Sequence, residues 1–467
     1  MGFYLNSGRN IVVIGCGAGG GTAAQFARKT DRKSKITIFE KGKYPQYSKC
    51  GLPYVLSNIV HGIDKLIEFS EEWFKKNNID IFLETIVEKI DAKKQIIYAK
   101  KEGKIIEKSY DSLIISTGAI PSIPPVQNIG AEGVFSVRTM DDIKSISSWI
   151  KKGKKATILG AGFIGFEMAD NLHKKGMEIT VIEALPNILP TIFDEDMSKY
   201  ISDRIPEDIS VLTNHTATKI ISENGKVNRL LIKDNFSGKE KNIDTDILIN
   251  ATGVKPEVNL AKNAGCKTGK TGGIIVNNKC ETNVKNIYAV GDCTEYIDFV
   301  TKKSMLVGLG SIAVRQAIAA GTNAAGGEYN LPQGFLQTST SEIFGMEIAS
   351  VGPSKYFMKD FTIVSGKYSG SSLLDYFPGG KPIKMKILAN EKTGKILSAQ
   401  AIGDKAAQRI NTFACAILAG MDVETFRKLE TAYAPPISPT LDAETLVCDI
   451  VSLKLNRNRY YEDFACF

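Results

Sequence analysis

Two glycine-rich turns, each set between an apolar run and a run of small or apolar residues, constrain this 467-residue chain more than any other feature. Near the start, Ile11-Val12-Val13-Ile14 reads as a strand buried in a parallel sheet, which needs helices on both faces. It leads into Gly15-Cys16-Gly17-Ala18-Gly19-Gly20, and a helix is expected over Thr22 to Arg28. Gly15 permits the tight turn, Gly17 lets the backbone approach a pyrophosphate, and Gly20 lets helix and strand pack closely. The helix N-terminus then offers free N–H groups and a positive dipole end to phosphates. A second strand, Ile36 to Phe39, ends at Glu40, whose carboxylate is placed to accept hydrogen bonds from a ribose, with Lys41 beside it.

The arrangement recurs. Ala156-Thr157-Ile158-Leu159 runs into Gly160-Ala161-Gly162-Phe163-Ile164-Gly165, a helix follows, and Ile179 to Ile182 ends at Glu183. Glu183 would repel a 2′-phosphate and no arginine stands beside it, which favours NADH over NADPH. Two such units imply two dinucleotides, a bound flavin and a diffusible nicotinamide. Strand-to-glycine crossings at Leu113–Gly118, with Thr117 and Gly118 at its end, and at Leu248–Gly253 bracket the second unit.

The length exceeds what one core usually supports, so two or three domains are expected. A net charge of +8 reads as a surface bias, since no basic run interleaved with aromatics points to nucleic acid. No apolar run reaches the ~18 residues that cross a bilayer, and no signal-peptide core is visible. The eight cysteines are scattered, without a disulfide framework or a zinc spacing, as suits a reducing cytoplasm.

These features resemble the pyridine nucleotide–disulfide oxidoreductases over essentially the whole chain. Within them the resemblance narrows to the single-cysteine branch: coenzyme A disulfide reductases, NADH oxidases and peroxidases, and NAD(P)H sulfur or polysulfide reductases. Three stretches carry it: Cys50-Gly51-Leu52-Pro53-Tyr54; Pro378-Gly379-Gly380 leading through 384–389 to 396–403; and Thr431-Ala432-Tyr433-Ala434-Pro435-Pro436-Ile437-Ser438-Pro439. The resemblance implies an α/β protein with two Rossmann-like domains. The FAD domain (1–117 plus 250–325) is discontinuous, with the NAD(P)H domain (118–249) inserted. An α+β dimerisation domain (330–467) completes it. It implies tightly bound FAD and a homodimer in which one subunit completes the other's active site. Gly291-Asp292, after the strand Ile287–Val290, looks like the segment whose carboxylate holds the ribityl chain of FAD. The residues themselves predict a hairpin of 384–389 with 396–401, and a helix over 405–418 stopped by Gly420.

Cys50 is expected to open a helix with Pro53 in its first turn, which would put its sulfur at a positive dipole end and favour the thiolate. With no partner cysteine nearby, its oxidised form must be a mixed disulfide, a persulfide or a sulfenic acid. The three histidines, His61, His173 and His215, all precede the last domain, where two-cysteine reductases keep their general base. The resemblance puts Tyr433 there as the phenol that serves the departing thiolate across the dimer, with Tyr376 as a second candidate. Ala18 stands where peroxidases and water-forming oxidases carry a histidine. Gln46 and Lys49 replace the serine and asparagine that hold coenzyme A, while Arg28 and Lys29 match basic residues that hold its phosphates. Cys16 and Cys293 read as small residues filling tight spaces. Cys466, one residue from the end, is a candidate electron shuttle or simply part of a frayed terminus.

The expected activity is therefore NADH-preferring reduction of coenzyme A disulfide, other small disulfides, persulfides, polysulfide or sulfur. The alternatives are an NADH oxidase or peroxidase working through a sulfenic acid, and a reductase passing electrons to a rubredoxin- or ferredoxin-type protein.

Overall fold

A computed structural model describes residues 8–150 and 154–465. The two apolar runs become the central strands Asn10–Ile14 and Lys155–Leu159 of two five-stranded parallel sheets. Four strands of each follow the same order, while the outer strand beside them comes last in the chain in the first sheet and first in the second. Reading across the first sheet gives Ile287–Ala289, Ser112–Ile115, Asn10–Ile14, Lys35–Phe39 and Ile79–Phe82. The second gives Val134–Ser136, Ile247–Asn250, Lys155–Leu159, Glu178–Ile182 and Ile209–Leu212. Each glycine turn leaves a central strand at its carboxyl edge, where open α/β sheets bind ligands.

The sheets are joined by a short antiparallel pair, Ala119–Pro121 with Val254–Pro256, so the chain crosses between them twice. Each unit also carries a three-stranded antiparallel sheet, over 86–109 and 215–244, that glycine spacing and apolar runs did not reveal. The Ala18–Thr30 helix, two residues longer at its C-terminal end than expected and four at its N-terminal end, is built of small residues for close packing. A β-carbon on Gly321 of the Gly310–Ala324 helix would stand 2.2 Å from Ala23 O, so those helices cross almost backbone to backbone.

The third unit is a five-stranded antiparallel sheet. Its hairpin pairs Pro382–Asn390 with Ile396–Gly403, turned by Asn390 Oδ1 accepting from Lys392 and Thr393 N–H and by Gly394 at φ +69°. The Ala406–Leu418 helix covers it and stops before Gly420 at φ +68°. A second helix, Ala443–Ala465, packs on the same sheet. Among the described residues no helix is long and apolar enough to cross a membrane. Cys466 lies outside the described residues.

Candidate active site

The two glycine turns repeat each other atom for atom where it matters. Gly15 (φ +95°) and Gly160 (φ +100°) take the left-handed conformation, and a β-carbon on them would meet Ser116 O at 2.3 Å and Ala251 O at 2.6 Å. A β-carbon on Gly20 would stand 1.8 Å from Gly15 O, and one on Gly165 2.0 Å from Gly160 O, so each helix sits tight on its turn. Gly17 and Gly162, the two helix N-caps, face open space and carry no side-chain cap. The first-turn N–H groups are thereby left for a phosphate, with Ala18 opening the first helix. Glu40 accepts from Cys16 N–H at 2.6 Å and Gly42 N–H at 2.7 Å; Glu183 accepts from Ala161 N–H at 2.8 Å and Leu185 N–H at 2.9 Å. Both acids are thus fixed beside a cradle that fits a dinucleotide.

Gly162 gives a direct check. Its φ of −85° suits any residue, so Gly162→Val should fold while its side chain fills the phosphate approach. We expect the KM for NAD(P)H to rise about tenfold or more with flavin content unchanged, read by steady-state kinetics and the visible spectrum.

Around the first cradle, Thr117 Oγ1 donates to Glu257 O at 2.6 Å, and Gly118 (φ +70°) and Gly253 (φ +102°) face open space at the crossings. Gly291 N–H donates to Gln316 Oε1 at 2.7 Å, which sets the turn presenting Asp292. Asp292 pairs with Arg138 at 3.2 Å, and the same Arg138 nitrogen donates to Ala119 O. Arg138 Nε is buried without a hydrogen-bond partner. Neither Arg138 nor Gln316 belongs to a motif, so spacing could not have found them.

Cys50 lies in the turn Lys49–Gly51, followed by the helix Leu52–Leu56 with Pro53 at its start. Leu52, Pro53 and Leu56 are buried and hold the turn, while Cys50 stays open to solvent on one side. The expected lowering by a helix end is not what the polypeptide produces. The helix has five residues, too few for a substantial dipole, and the cleft walls dominate. Loss of water around the sulfur pushes the thiol up, and the charges of Glu167, Asp292 and Glu68 push it further, against Arg138.

Lys49 is exposed at the surface, yet desolvation of its ammonium and then the charge of Arg138 hold it down, against Glu40 and Asp292. Lys41 is exposed, and its charge also acts to lower Lys49. Two of the coenzyme A candidates are corrected by their surroundings. Gln46 is 2% exposed under the first helix, its amide bonded to Gln25 and Glu68, so it presents no ligand surface. Arg28 donates to the carbonyls of Asn77, Asp31, Arg32 and Asn78, tying the end of its helix to the following loop and to the turn after the helix Glu71–Lys76. Lys29 remains exposed, with its ammonium 4.5 Å from the Phe26 ring centre.

Cys16 and Cys293 are buried, and burial pushes both thiols up, Cys293 to about 11. Tyr376 and Tyr433, weighed separately in the sequence, meet with hydroxyls 3.4 Å apart on the exposed surface of the third unit. The hydrogen bond to Tyr433 raises the Tyr376 phenol.

The sequence also gave no sign of Glu167, one turn into the Phe163–His173 helix. It accepts from Ser341 Oγ at 2.7 Å, a residue of the third unit.

Two nucleotide cradles on one chain, with an exposed cysteine whose sulfur feels Asp292, Arg138 and Glu167, the last on the helix that follows the second cradle, define a two-dinucleotide oxidoreductase. The family model for pyridine nucleotide-disulphide oxidoreductases matches residues 9–317, and the model for their dimerisation domain matches 339–444. The chain belongs to this family, which uses FAD and NAD(P)H. It is 37% identical to an NADH oxidase of Methanocaldococcus jannaschii, covering 95% of this chain and 99% of that one. It is 30% identical to the CoA-dependent NAD(P)H sulfur oxidoreductase of Pyrococcus furiosus, over 93% and 97%. A solved NAD-dependent persulfide reductase from A. fulgidus superimposes with a TM-score of 0.91 at 34% identity, covering 96% of this chain and 84% of that one.

Proposed function

We propose that this chain is an FAD-dependent, NADH-preferring reductase of small disulfides, persulfides or polysulfide, working through Cys50 as a homodimer. The observation that carries this reading is the exposed Cys50 thiol, whose sulfur feels Asp292 after the Gly291 turn and Glu167 on the helix that leaves the second cradle. Among the described cysteines, Cys16, Cys266, Cys280, Cys293 and Cys448 are buried, and Cys415 lies on the Ala406–Leu418 helix of the third unit. Bound FAD would supply two-electron transfer between NAD(P)H and a sulfur at its ring. Gly15, Gly17, Ala18, Gly20, Glu40 and Asp292 would hold it, and Gly160, Gly162, Gly165 and Glu183 would hold the nicotinamide dinucleotide.

Cys50 attacks an S–S bond of the acceptor, forming a mixed disulfide or persulfide and expelling one thiolate. An electron pair returned to Cys50 breaks that bond and expels the second. The sum is NADH, one proton and RSSR giving NAD⁺ and two RSH. Each leaving thiolate needs a proton, and the exposed Tyr433–Tyr376 pair is suited to supply it to a partner subunit. The family match to the dimerisation domain supports that arrangement. With Arg28 and Gln46 committed elsewhere, Lys29 is the one coenzyme A phosphate candidate left free, which favours smaller sulfur acceptors.

The likeness to an NADH oxidase supports a second reading, oxygen reduction through a Cys50 sulfenic acid. NADH turnover in air, with and without polysulfide or coenzyme A disulfide, separates the two. We expect at least about tenfold stimulation by a sulfur acceptor. Full turnover with oxygen alone would overturn the first reading in favour of the second.

A further inference from the structure

Glu167 has no part in the function proposed so far, yet the three units of the chain meet at its side chain. Ser57 Oγ donates to Asn171 Oδ1 at 2.5 Å, and Asn171 Nδ2 donates to Glu167 O at 2.7 Å. That contact fixes how the Leu52–Leu56 turn lies along the Phe163–His173 helix. One turn back from Ser57 and Asn171 stand Tyr54 and Glu167; one further turn back from Tyr54 stands Cys50. Ser341, from the strand Ser339–Ile343, closes the group from the third unit. Its hydroxyl donates to Glu167 and stands near enough to the Tyr54 phenol to favour its ionised form.

We propose that Glu167 is a positioning residue for the sulfur chemistry: held by Ser341 beside the turn that follows Cys50, it shares one proton with that sulfur. With the thiol protonated the carboxylate is ionised. When the thiolate forms, the proton lost from sulfur is balanced by one gained at the carboxyl, and the pair keeps a single negative charge. This rests on Cys50 being the reactive sulfur. Burial raises both groups, the carboxyl against its hydrogen bond from Ser341. The other charges acting on Cys50 are Asp292, Glu68 and Arg138, with Lys49 adjacent in the chain; Asp170 and Glu342 face Tyr54. Asp170 is itself paired with Lys174 at 2.8 Å. Glu167 is the carboxylate with the largest effect on the sulfur.

The test is alkylation of the reduced holoenzyme with iodoacetamide across pH, following the Cys50 peptide by mass so that the exposed Cys415 does not contribute. Glu167→Gln keeps the shape and still accepts from Ser341. It is expected to move the alkylation midpoint to lower pH and to speed alkylation at pH 7 about threefold or more. Ser341→Ala removes the bond that favours the carboxylate and should shift the midpoint the same way by less. An unchanged or raised midpoint in Glu167→Gln would overturn the proposal. Alkylation reads the sulfur without turnover, so this failure is separate from loss of the Cys50 reading, which turnover of a Cys50 variant decides.

Discussion

Cys50→Ser is expected to lower NADH-dependent turnover of polysulfide or small disulfides by at least about a thousandfold, with flavin content and flavin reduction by NADH unchanged. The reason is chemical. Serine fills the same space in the Lys49–Gly51 turn, and Leu52, Pro53 and Leu56, which anchor it, are untouched. An alkoxide cannot form at neutral pH, and an oxygen cannot carry the mixed disulfide or persulfide. Stopped-flow spectra should still show the flavin bleached by NADH, then stalled when acceptor is added. Acceptor turnover at the wild-type rate would show that electrons leave by a route without Cys50, as in a reductase serving a protein partner.

The largest effect on stability is expected from Lys386→Met. Lys386, on the strand Pro382–Asn390, is 4% exposed and bridges Asp194 at 2.7 Å and Asp196 at 2.6 Å. Asp194 is equally buried, accepts from Lys355 N–H at 2.8 Å, and its own N–H donates to Gln400. Lys367 reaches Asp196 from the neighbouring strand at 2.8 Å. These contacts fasten the second parallel-sheet unit to the third unit. Removing Lys386 leaves Asp194 buried without its counter-charge, a loss of about 3–5 kcal/mol, whereas a paired apolar replacement is often close to neutral. Urea unfolding at pH 7 should therefore show a large loss for Lys386→Met and substantial recovery in Lys386→Met with Asp194→Leu. Equal loss in both variants would mean that packing, not the uncompensated charge, sets the cost.

Acid should act on the same cluster. Desolvation pulls the Asp196 carboxyl up, but hydrogen bonds and charge from Lys367 and Lys386 outweigh it and bring it down to about 2. Its folded value lies below the usual Asp value of about 3.9, so its stabilisation is complete above that value. It fades as pH falls from about 4 toward 2.

The glycine turns were legible because each is a local device. A strand, a left-handed glycine, a close helix and an acid about 20 residues on are all set by neighbours in the chain. Gly15 and Gly160, Gly20 and Gly165, Glu40 and Glu183 accordingly lie where the spacing puts them. The hairpin after Lys384 and the helix ending before Gly420 were legible for the same reason. Cys50 was findable from its own short motif, but the direction of its thiol shift was not. That depends on Glu167, Asp292 and Glu68, which only folding brings near it. Arg28 and Gln46 looked available because a sequence shows side chains without their partners; four carbonyls and a glutamate occupy them.

By itself, then, the sequence determined two dinucleotide folds, a single candidate sulfur and an antiparallel third unit, since short-range backbone sterics and apolar patterning decide these. Tertiary structure alone decided that Arg138 meets Asp292, Ser341 meets Glu167, Tyr376 meets Tyr433 and Lys386 meets Asp194. Those partners lie between 57 and 192 residues apart, by the difference of their numbers. A charge or hydrogen bond acts over a few ångströms of space, whatever the distance along the chain, so only the packed units could bring them together.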